Sequence, residues 1–393
     1  MVLFTILVLW INLKLLPVKK DFQQTMNEVL LQQNFLKYEL RHNKLAYRMQ
    51  HLYPEGFVFI HVLYGLTWCE VGIKSNDQKL RSQALTEALY AYEQITAPEV
   101  FWNFDENISP SYGIFLLGWK NYLLSKILLI NDSFNNRAEL INQYESNCKE
   151  IFSAFEKSKS PFLLSYEGAA WPADNVVAIA SLAHYHKILD SKYNSFVVAW
   201  VKEIKSKLDE KTQMIPHQVH YTTGEILSGA RGSSSSLMIR LLAEIDPLFA
   251  KSQYQQFQKY FATTLFGLPF ISEFPKGQSG ESDIDSGPVI LGVGFAATIV
   301  SVGTHAAVGN IHSAEDQYKT INAFGFPLTT SNNKRYLFGQ LPIADAFIAW
   351  SRITASNIAP SNKTSFYYKF HFLSLIVIFL TWLALRYQKK PSA

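Results

Sequence analysis

Apolar residues recur at helical spacing along most of this chain. They fall at positions i, i+3 and i+4, whereas strict alternation over strand lengths is rare. The pattern predicts about a dozen helices, near 21–50, 57–74, 77–96, 111–130, 135–157, 174–190, 193–209, 232–245, 249–264, 287–307, 313–323 and 341–354. No Pro/Gly/Ser-rich linker divides them, so the sequence predicts a single all-α domain over residues 21–360.

The predicted helices are of two kinds. Those at 135–157 and 194–211 are charged on one side, which is typical of outer, solvated helices. Those at 114–129, 176–183 and 288–308 are apolar or small on nearly every side, which indicates an inner position. About six hairpins that alternate outer and inner helices predict an (α/α) toroid. The stretch 288–308 is also long enough to span a membrane, but its Gly, Ser, Thr and His content favours a buried core helix.

Both ends of the chain have the composition of membrane segments. Residues 370–386 carry no formal charge before Arg386 and are flanked by aromatic and basic residues, which predicts a C-terminal transmembrane helix. Residues 1–18 contain Lys14, lack a basic leader and show no small-residue cleavage site. This segment is therefore predicted to be a second anchor rather than a signal peptide. An apolar helix that lies on the domain or on the bilayer surface is the alternative.

The basic residues beside these segments give opposing indications of orientation. Arg386, Lys389 and Lys390 favour cytoplasmic termini and a globular domain on the extracytoplasmic side. Lys19 and Lys20 favour the reverse. Because the C-terminal cluster is larger, the sequence predicts a membrane protein whose domain is extracytoplasmic and whose partner is the lipid bilayer.

Composition excludes several classes of function. The formal net charge of +4 is divided among 36 basic and 32 acidic residues without a basic stripe, so a nucleic-acid partner is not expected. Two cysteines cannot form a disulfide framework, and neither lies in a cluster with metal-ligand spacing. Nucleotide-binding loops and a serine nucleophile elbow are absent from the sequence. We expect no metal and no cofactor, and the sequence leaves the oligomeric state open.

Acidic residues are concentrated just before the predicted inner helices. A toroid would gather these segments at one mouth, so Glu167, Asp174, Asp283 and Asp285 are the candidate catalytic carboxylates. Each of them could instead cap a helix. Glu281, a candidate substrate contact, stands with Asp283 and Asp285 within five residues. Like charges this close raise one another's pKa, which would prepare one of them to donate a proton.

Other side chains of the same segments could bind a substrate. The candidates are Tyr166, Trp171, Trp102 and Tyr112 as stacking platforms for sugar rings, and His217, His220 and Arg231 as hydrogen-bonding groups. The two histidines would share a face only in a helix or a turn. Since no third ligand has suitable spacing, substrate binding or a structural loop is a better interpretation than zinc. Arg231 could equally cap a helix or pair with an acid, and each aromatic residue could belong to the core.

Three segments carry a resemblance to a known superfamily. They are WPADN at 171–175, the Arg-Gly-Ser-Ser stretch that begins at Arg231, and ESDIDSGPV at 281–289, each of which leads into a predicted inner helix. With the alternation of inner and outer helices, residues 50–355 resemble the six-hairpin glycosidase-like (α/α) toroids and, more loosely, their linalool dehydratase/isomerase-like branch. The glycosidase-like members imply a general acid and a base among Asp174, Glu167, Asp283 and Asp285. The terpene-alcohol branch implies cysteine participation, from which this sequence departs.

The expected function is therefore that of a membrane-anchored enzyme acting on a carbohydrate or related polar substrate by carboxylate acid/base chemistry, as a hydrolase or a lyase. A dehydratase or isomerase of a small hydrophobic alcohol is the first alternative. A non-catalytic scaffold or binding module of an envelope assembly is the second. It would leave the four carboxylates separately paired.

Overall fold

The fold is described here from a computed structural model that covers residues 2–16, 21–281, 283, 286–355 and 365–388. The helices are α1 (Val2–Lys14), α2 (Phe22–His42), α3 (Leu45–Leu52), α4 (Gly56–Lys74), α5 (Gln78–Thr96), α6 (Pro98–Phe101), α7 (Gly113–Leu128), α8 (Arg137–Lys157), α9 (Pro172–Ala183), α10 (Tyr185–Ile188), α11 (Asn194–Ile204), α12 (Gly232–Ile245), α13 (Pro247–Tyr260), α14 (Phe295–Ala307), α15 (Ile311–Phe324), α16 (Pro342–Ala355) and α17 (Tyr368–Gln388). The antiparallel strand pairs are β1 (Gln218–Val219) with β2 (Ile226–Ser228), β3 (Ala262–Leu265) with β4 (Leu268–Ile271), β5 (Val289–Ile290) with β6 (Val293–Gly294), and β7 (Leu328–Thr329) with β8 (Lys334–Arg335).

Six helices form a closed inner ring. Going round it, α4 packs on α7, α7 on α9, α9 on α12, α12 on α14, α14 on α16, and α16 returns to α4. An outer helix covers each of them: α5 lies on α4, α8 on α7, α11 on α9, α13 on α12, α15 on α14 and α2 on α16. The chain therefore folds as an (α/α) toroid of six helical hairpins, as the two kinds of helix in the sequence predict.

Helix starts and small residues explain much of this packing. Asp77 and Asp246 accept hydrogen bonds from the first free amides of α5 and α13, and Pro172 and Pro247 occupy the first turns of α9 and α13. In the inner ring, α7 approaches α9 at Gly118. A Cβ at this position would lie 3.2 Å from the Cβ of Ala178, so a larger residue would push the two helices apart.

Some predicted boundaries were wrong. The stretch 21–50 divides into α2 and α3, and α14 begins at Phe295 because residues 289–294 form the β5–β6 hairpin. The short strand pairs have too few residues to show a period of two in the sequence. The stretch 288–308 contributes an inner helix of the ring, as its small and polar residues favour.

The terminal helices α1 and α17 pack against each other in antiparallel orientation. Trp382 donates an indole hydrogen bond to Thr5, while His371 lies 2.6 Å from Asn12 nearer the domain. Among the described residues, two helices are long and apolar enough to cross a membrane, α4 and α17. In the ring, 83% of the apolar stretch of α4 is buried, whereas only 6% of that of α17 is buried. The ring core therefore accounts for the hydropathy of α4, whereas α17 packs against α1 and leaves most of its apolar surface exposed.

Candidate active site at the mouth of the ring

Trp171 and His217 lie side by side where two short segments meet. Trp171 immediately precedes α9, and His217 immediately precedes β1. The amide of Val219 donates to the carbonyl of Ala170, which joins β1 to the segment before α9. The Trp171 and His217 ring centroids are consequently 4.9 Å apart. His217 is 7% exposed, and its Nδ1 lies 3.1 Å from the Ser234 hydroxyl on α12.

Arg231 and Asp283 form an ion pair beside this histidine. Arg231 precedes α12, and its guanidinium donates to Asp283 Oδ2, the same oxygen that lies 3.7 Å from His217 Nε2. The other Asp283 oxygen accepts a hydrogen bond of 2.8 Å from the Ser286 amide. Segments 52 residues apart in sequence thus bring a base, a cation and a carboxylate together at the mouth.

The charges of this group follow from its surroundings. Burial opposes ionisation of Asp283, but the nearby His217, the hydrogen bond from the Ser286 amide and the charge of Arg231 outweigh it and hold the pKa of Asp283 well below its ordinary value. Burial lowers the pKa of His217 below 6.5, and the carboxylate of Asp283 only partly opposes this. At neutral pH the cluster therefore holds an ionised aspartate, a guanidinium and a neutral imidazole.

A second carboxyl, Glu273, lies beneath the cluster at the start of α12 and, unlike Asp283, is fully buried. Its two oxygens accept hydrogen bonds from the Ser233 amide (3.2 Å) and the Ser233 hydroxyl (2.8 Å). The chain passes so close here that a Cβ on Gly232 would lie 2.1 Å from the Ser272 carbonyl oxygen, so only glycine fits. Glu273 is fully buried, and burial raises its pKa to about 7.

Replacing Glu273 by glutamine is expected to stabilise the protein above about pH 4.5, with the gain growing up to about pH 7. Because the pKa of Glu273 is raised from 4.5 to about 7, folding favours the protonated acid, and its contribution to stability is lost as pH rises from 4.5 through 7. The difference of about 2.5 pKa units corresponds to about 3 kcal/mol. Urea unfolding of the full chain in neutral detergent should therefore show Glu273→Gln to be up to about 3 kcal/mol more stable than wild type at pH 8 and close to wild type at pH 4.5. The exposed Glu281→Gln is the control, and an equal effect at both pH values would contradict the prediction.

Aromatic side chains form the opposite side of the mouth. Phe59 of α4 contacts Phe115 and Trp119 of α7 at ring-centroid distances of 5.2 and 5.3 Å and Phe347 of α16 at 6.3 Å. Tyr166 continues this surface, 5.5 Å from Phe115. Phe115 and Trp119 are buried, whereas Phe59, Phe347 and Tyr166 are partly exposed. One side of the mouth is therefore polar and charged, and the other offers these three aromatic rings, a combination that suits ligands with both polar groups and apolar faces.

The remaining candidate carboxylates occupy different surroundings. Asp174, in the first turn of α9, is buried, and its Oδ1 accepts a hydrogen bond of 3.3 Å from the Trp119 indole. Glu167 is exposed on the tight turn between Tyr166 and Ala169. Asp285 lies outside the described residues. Asp283 pairs with the basic side chain of Arg231.

The other candidate binding residues are more dispersed. Trp102 is 83% exposed, and Glu281 is also exposed. Tyr112 donates to Glu106 across 3.3 Å, which ties it to its own loop. His220 is exposed, and its Nδ1 accepts hydrogen bonds from the amides of its own turn. The segment after His217 is extended, so the two histidines do not share a face, and the described residues contain no cluster of three or more metal-ligating side chains.

The opposite end of the ring holds a buried ionic network. Lys126 of α7 lies 2.8 Å from Glu70 of α4 and 3.4 Å from Glu244 of α12, and His184 Nε2 is 2.7 Å from Glu244. His184 Nδ1 lies 2.8 Å from the Ser125 hydroxyl, which gives a serine, histidine and glutamate in contact. Ser125 is completely buried, so this hydroxyl has no route to a substrate and the arrangement is structural.

Neither cysteine has the character of a reactive thiol. Cys69 on α4 and Cys148 on α8 are both fully buried. Burial raises the pKa of both, to about 12 for Cys148, so neither is ionised at neutral pH.

Sequence reasoning missed Glu273 and the aromatic side of the mouth. Glu273 is a single acid after an apolar strand, and no neighbouring motif distinguishes it. Phe59, Trp119 and Phe347 occupy positions that the helical pattern assigns to the core. Only their shared location near the starts of three inner helices distinguishes them.

Comparisons with known proteins give similarity in structure alone. No family model matches the sequence, and no curated protein matches it. The GH76 alpha-mannanase of Bacteroides thetaiotaomicron is 12% identical with a TM-score of 0.47, over 76% of this chain and 86% of that protein. A D-mannose isomerase is 12% identical with a TM-score of 0.43, over 81% of this chain and 87% of that protein. The toroid assignment rests on the helix contacts of the chain itself.

Proposed function

We propose that this chain is a membrane-attached enzyme that acts on a carbohydrate or a related polar substrate by proton transfer at the mouth of the ring. The main observation in support of this proposal is that His217, Arg231 and Asp283 lie together next to Trp171. A neutral imidazole can take a proton from a substrate and return it. The adjacent guanidinium can bind a substrate oxygen on which negative charge develops. Trp171 offers a ring face on which a sugar can stack.

The geometry supports proton transfer by His217 better than hydrolysis by two carboxylates. Hydrolysis requires one protonated and one ionised carboxyl on either side of the scissile bond. Asp283 is ionised and held by Arg231, and the protonated candidate Glu273 is fully buried against Ser233. Isomerisation or elimination, in which a base removes a proton next to a carbonyl, requires only His217 and a group that stabilises the anion.

The alternatives are less consistent with the mouth. A dehydratase that uses cysteine would need an accessible thiol, and both cysteines are buried. A scaffold does not require a base, a cation and a carboxylate in mutual contact at the starts of inner helices. The separate pairing of Asp174 with Trp119 is compatible with a scaffold. The three-residue contact of His217, Arg231 and Asp283 favours an enzyme.

Membrane attachment through α1 and α17 is the second part of the proposal. The 21 residues of α17 extend about 31 Å, close to the hydrocarbon thickness of a bilayer, whereas the 13 residues of α1 extend about 20 Å. Since the helices are antiparallel and their Asn12 and His371 ends lie nearer the domain, the first residues of α1 and the last residues of α17 lie away from it. With cytoplasmic basic residues at the C-terminus, the domain is extracytoplasmic.

The proposed chemistry is tested by offering the full chain two sets of probes. Free aldohexoses in deuterated water report proton transfer as deuterium incorporation at C2 and as ketose formation, both by NMR. Nitrophenyl α- and β-hexosides report hydrolysis. We expect exchange and isomerisation without nitrophenol release. Nitrophenol release without exchange would contradict proton transfer and support hydrolysis by two carboxylates. No reaction with either set of probes would favour a non-catalytic scaffold.

The pH dependence of the same reaction identifies the base. Since the pKa of His217 is below 6.5, the active neutral imidazole is present at neutral pH, and kcat/KM should fall on the acidic side of 6.5. Asp283 raises the pKa of His217 and Arg231 lowers it. The acidic limb should therefore move to lower pH in Asp283→Asn and to higher pH in Arg231→Gln. Shifts in the same direction, or no shift, would contradict the assignment of His217 as the base.

A further inference from the structure

A pocket lies where the terminal helix α1 meets the toroid, well away from the mouth residues. Its volume is about 460 Å³. Its lining comes from α1 and the following residues, α15 and α16, and consists of Trp10, Leu13, Lys14, Leu16, Glu315, Tyr318, Lys319, Asn322 and Arg352. None of these residues has a part in the proposed chemistry.

The charged groups of the pocket are mainly cationic. Lys14, Lys319 and Arg352 line it with a single acid, Glu315. Glu315 is engaged by Arg352 at 2.6 Å, and the ammonium of Lys319 forms a longer ion pair with Asp316, at 3.6 Å. Lys14 has no acidic partner among the described residues. The ammonium of Lys14 therefore remains available to an anion, and that of Lys319 has Asp316 as a neighbour without a hydrogen bond between them.

Arg352 forms the floor of the pocket and is itself buried. Its side chain is 1% exposed, one terminal nitrogen donates to Thr25, and the guanidinium lies 4.2 Å from the Tyr318 ring centroid. The Nε of Arg352 is buried and has no hydrogen-bond partner in the described part of the chain. An unsatisfied N–H of a buried guanidinium is costly, which favours a ligand or water that accepts from it.

The apolar wall of the same pocket continues into the membrane helix pair. Leu13 and Leu16 are exposed, and Trp10 stacks on Phe326 at 5.4 Å beside the exposed Phe338. Aromatic residues at the base of an apolar helix are typical of the level of lipid headgroups. The cationic part of the pocket would then face headgroups, and the leucines would face the acyl chains.

We propose that this pocket binds the phosphate of an anionic phospholipid headgroup, with Lys14, Lys319 and Arg352 around the phosphate and the acyl chains along α1. The inference rests on the proposed membrane attachment. A free phosphate would meet the same cations, but it would leave the wall formed by Trp10, Leu13 and Leu16 without a partner. The apolar wall therefore favours the lipid as the source of the phosphate.

The test is a calorimetric titration of the full chain in neutral maltoside detergent with short-chain phosphatidylglycerol. Phosphatidylcholine of the same chain length and glycerol 1-phosphate are titrated in parallel. Phosphatidylglycerol should bind at least tenfold more tightly than either. Lys14→Gln and Lys319→Gln should each weaken its binding about fivefold, and the double variant about 25-fold. Lys251→Gln, an exposed lysine on α13, is the matched control and should bind as wild type does.

Each result has a definite meaning. Equal binding of both phospholipids, or no loss in the lysine variants, would overturn the site. Equal binding of glycerol 1-phosphate and phosphatidylglycerol would overturn the lipid assignment, because the apolar wall would then contribute nothing. Flotation of the wild-type chain with phosphatidylcholine vesicles tests membrane attachment separately. Failure to float would overturn the attachment on which the inference rests, whatever the titration gives.

Discussion

Replacing His217 by glutamine is expected to lower kcat by about 10²- to 10⁴-fold, the range that a positioned general base contributes. Glutamine can keep a hydrogen bond to Ser234 but cannot accept and return a proton at neutral pH. The substrate still meets Trp171 and Arg231, so KM should change much less than kcat. The measurement is steady-state kinetics on the aldohexose that the wild-type chain isomerises or exchanges most rapidly.

His220→Gln is the matched control for this substitution. His220 lies three residues away, is exposed, and uses its Nδ1 within its own turn. We expect its kcat to remain within a factor of about two of wild type. If both histidine variants lose activity equally, or if His217→Gln retains full kcat with a normal thermal unfolding profile, His217 is not the base and the mouth must use another group.

Replacing Lys126 by methionine is expected to destabilise the fold by about 3 to 5 kcal/mol, the usual cost of leaving a buried charge without its partner. Lys126 is 9% exposed and lies between Glu70 and Glu244. Without it, Glu70 retains Lys74 at 3.6 Å and Glu244 retains His184 at 2.7 Å, but the two partly buried carboxylates lose the cation between them and repel each other. Urea unfolding of the full chain in neutral detergent gives the measurement, and Lys149→Met, an exposed lysine on α8, should stay within about 0.5 kcal/mol of wild type.

The pH dependence of this effect has a definite sign. The charge of Lys126 overcomes burial and lowers the pKa of Glu70 to about 2 and that of Glu244 further. Depressed carboxyl pKa values contribute stability above about 4.5, and this is lost as pH falls towards 2. The cost of Lys126→Met should therefore shrink in acid, and Glu70→Gln in the same chain should restore part of the stability at pH 7. A cost that is independent of pH would contradict the electrostatic explanation.

The alternation of inner and outer helices was predictable because the composition of a helix depends on how many of its sides are buried, and composition can be read from neighbouring residues. The apolar and small residues of α7, α9 and α14 reveal helices that are enclosed on all sides, and the charges of α8 reveal a solvated face. The sequence also predicted that Trp171, His217, Arg231 and Asp283 precede inner helices. The chemistry of the mouth was less predictable. The acidic run at 281–285 indicated mutual repulsion and a raised pKa, whereas Asp283 has its pKa lowered by Arg231 and His217, partners that lie more than 50 residues away.

The sequence by itself determined the helical class, the number of hairpins and the two apolar ends. These properties depend on the period and composition of neighbouring residues, which the chain carries locally. The tertiary structure alone decided which base, cation and carboxylate meet, that Glu273 is buried beneath them, and that Lys14, Lys319 and Arg352 share a pocket. Such contacts join residues that are distant along the chain, and their energies depend on burial and partner distance, which no local pattern records.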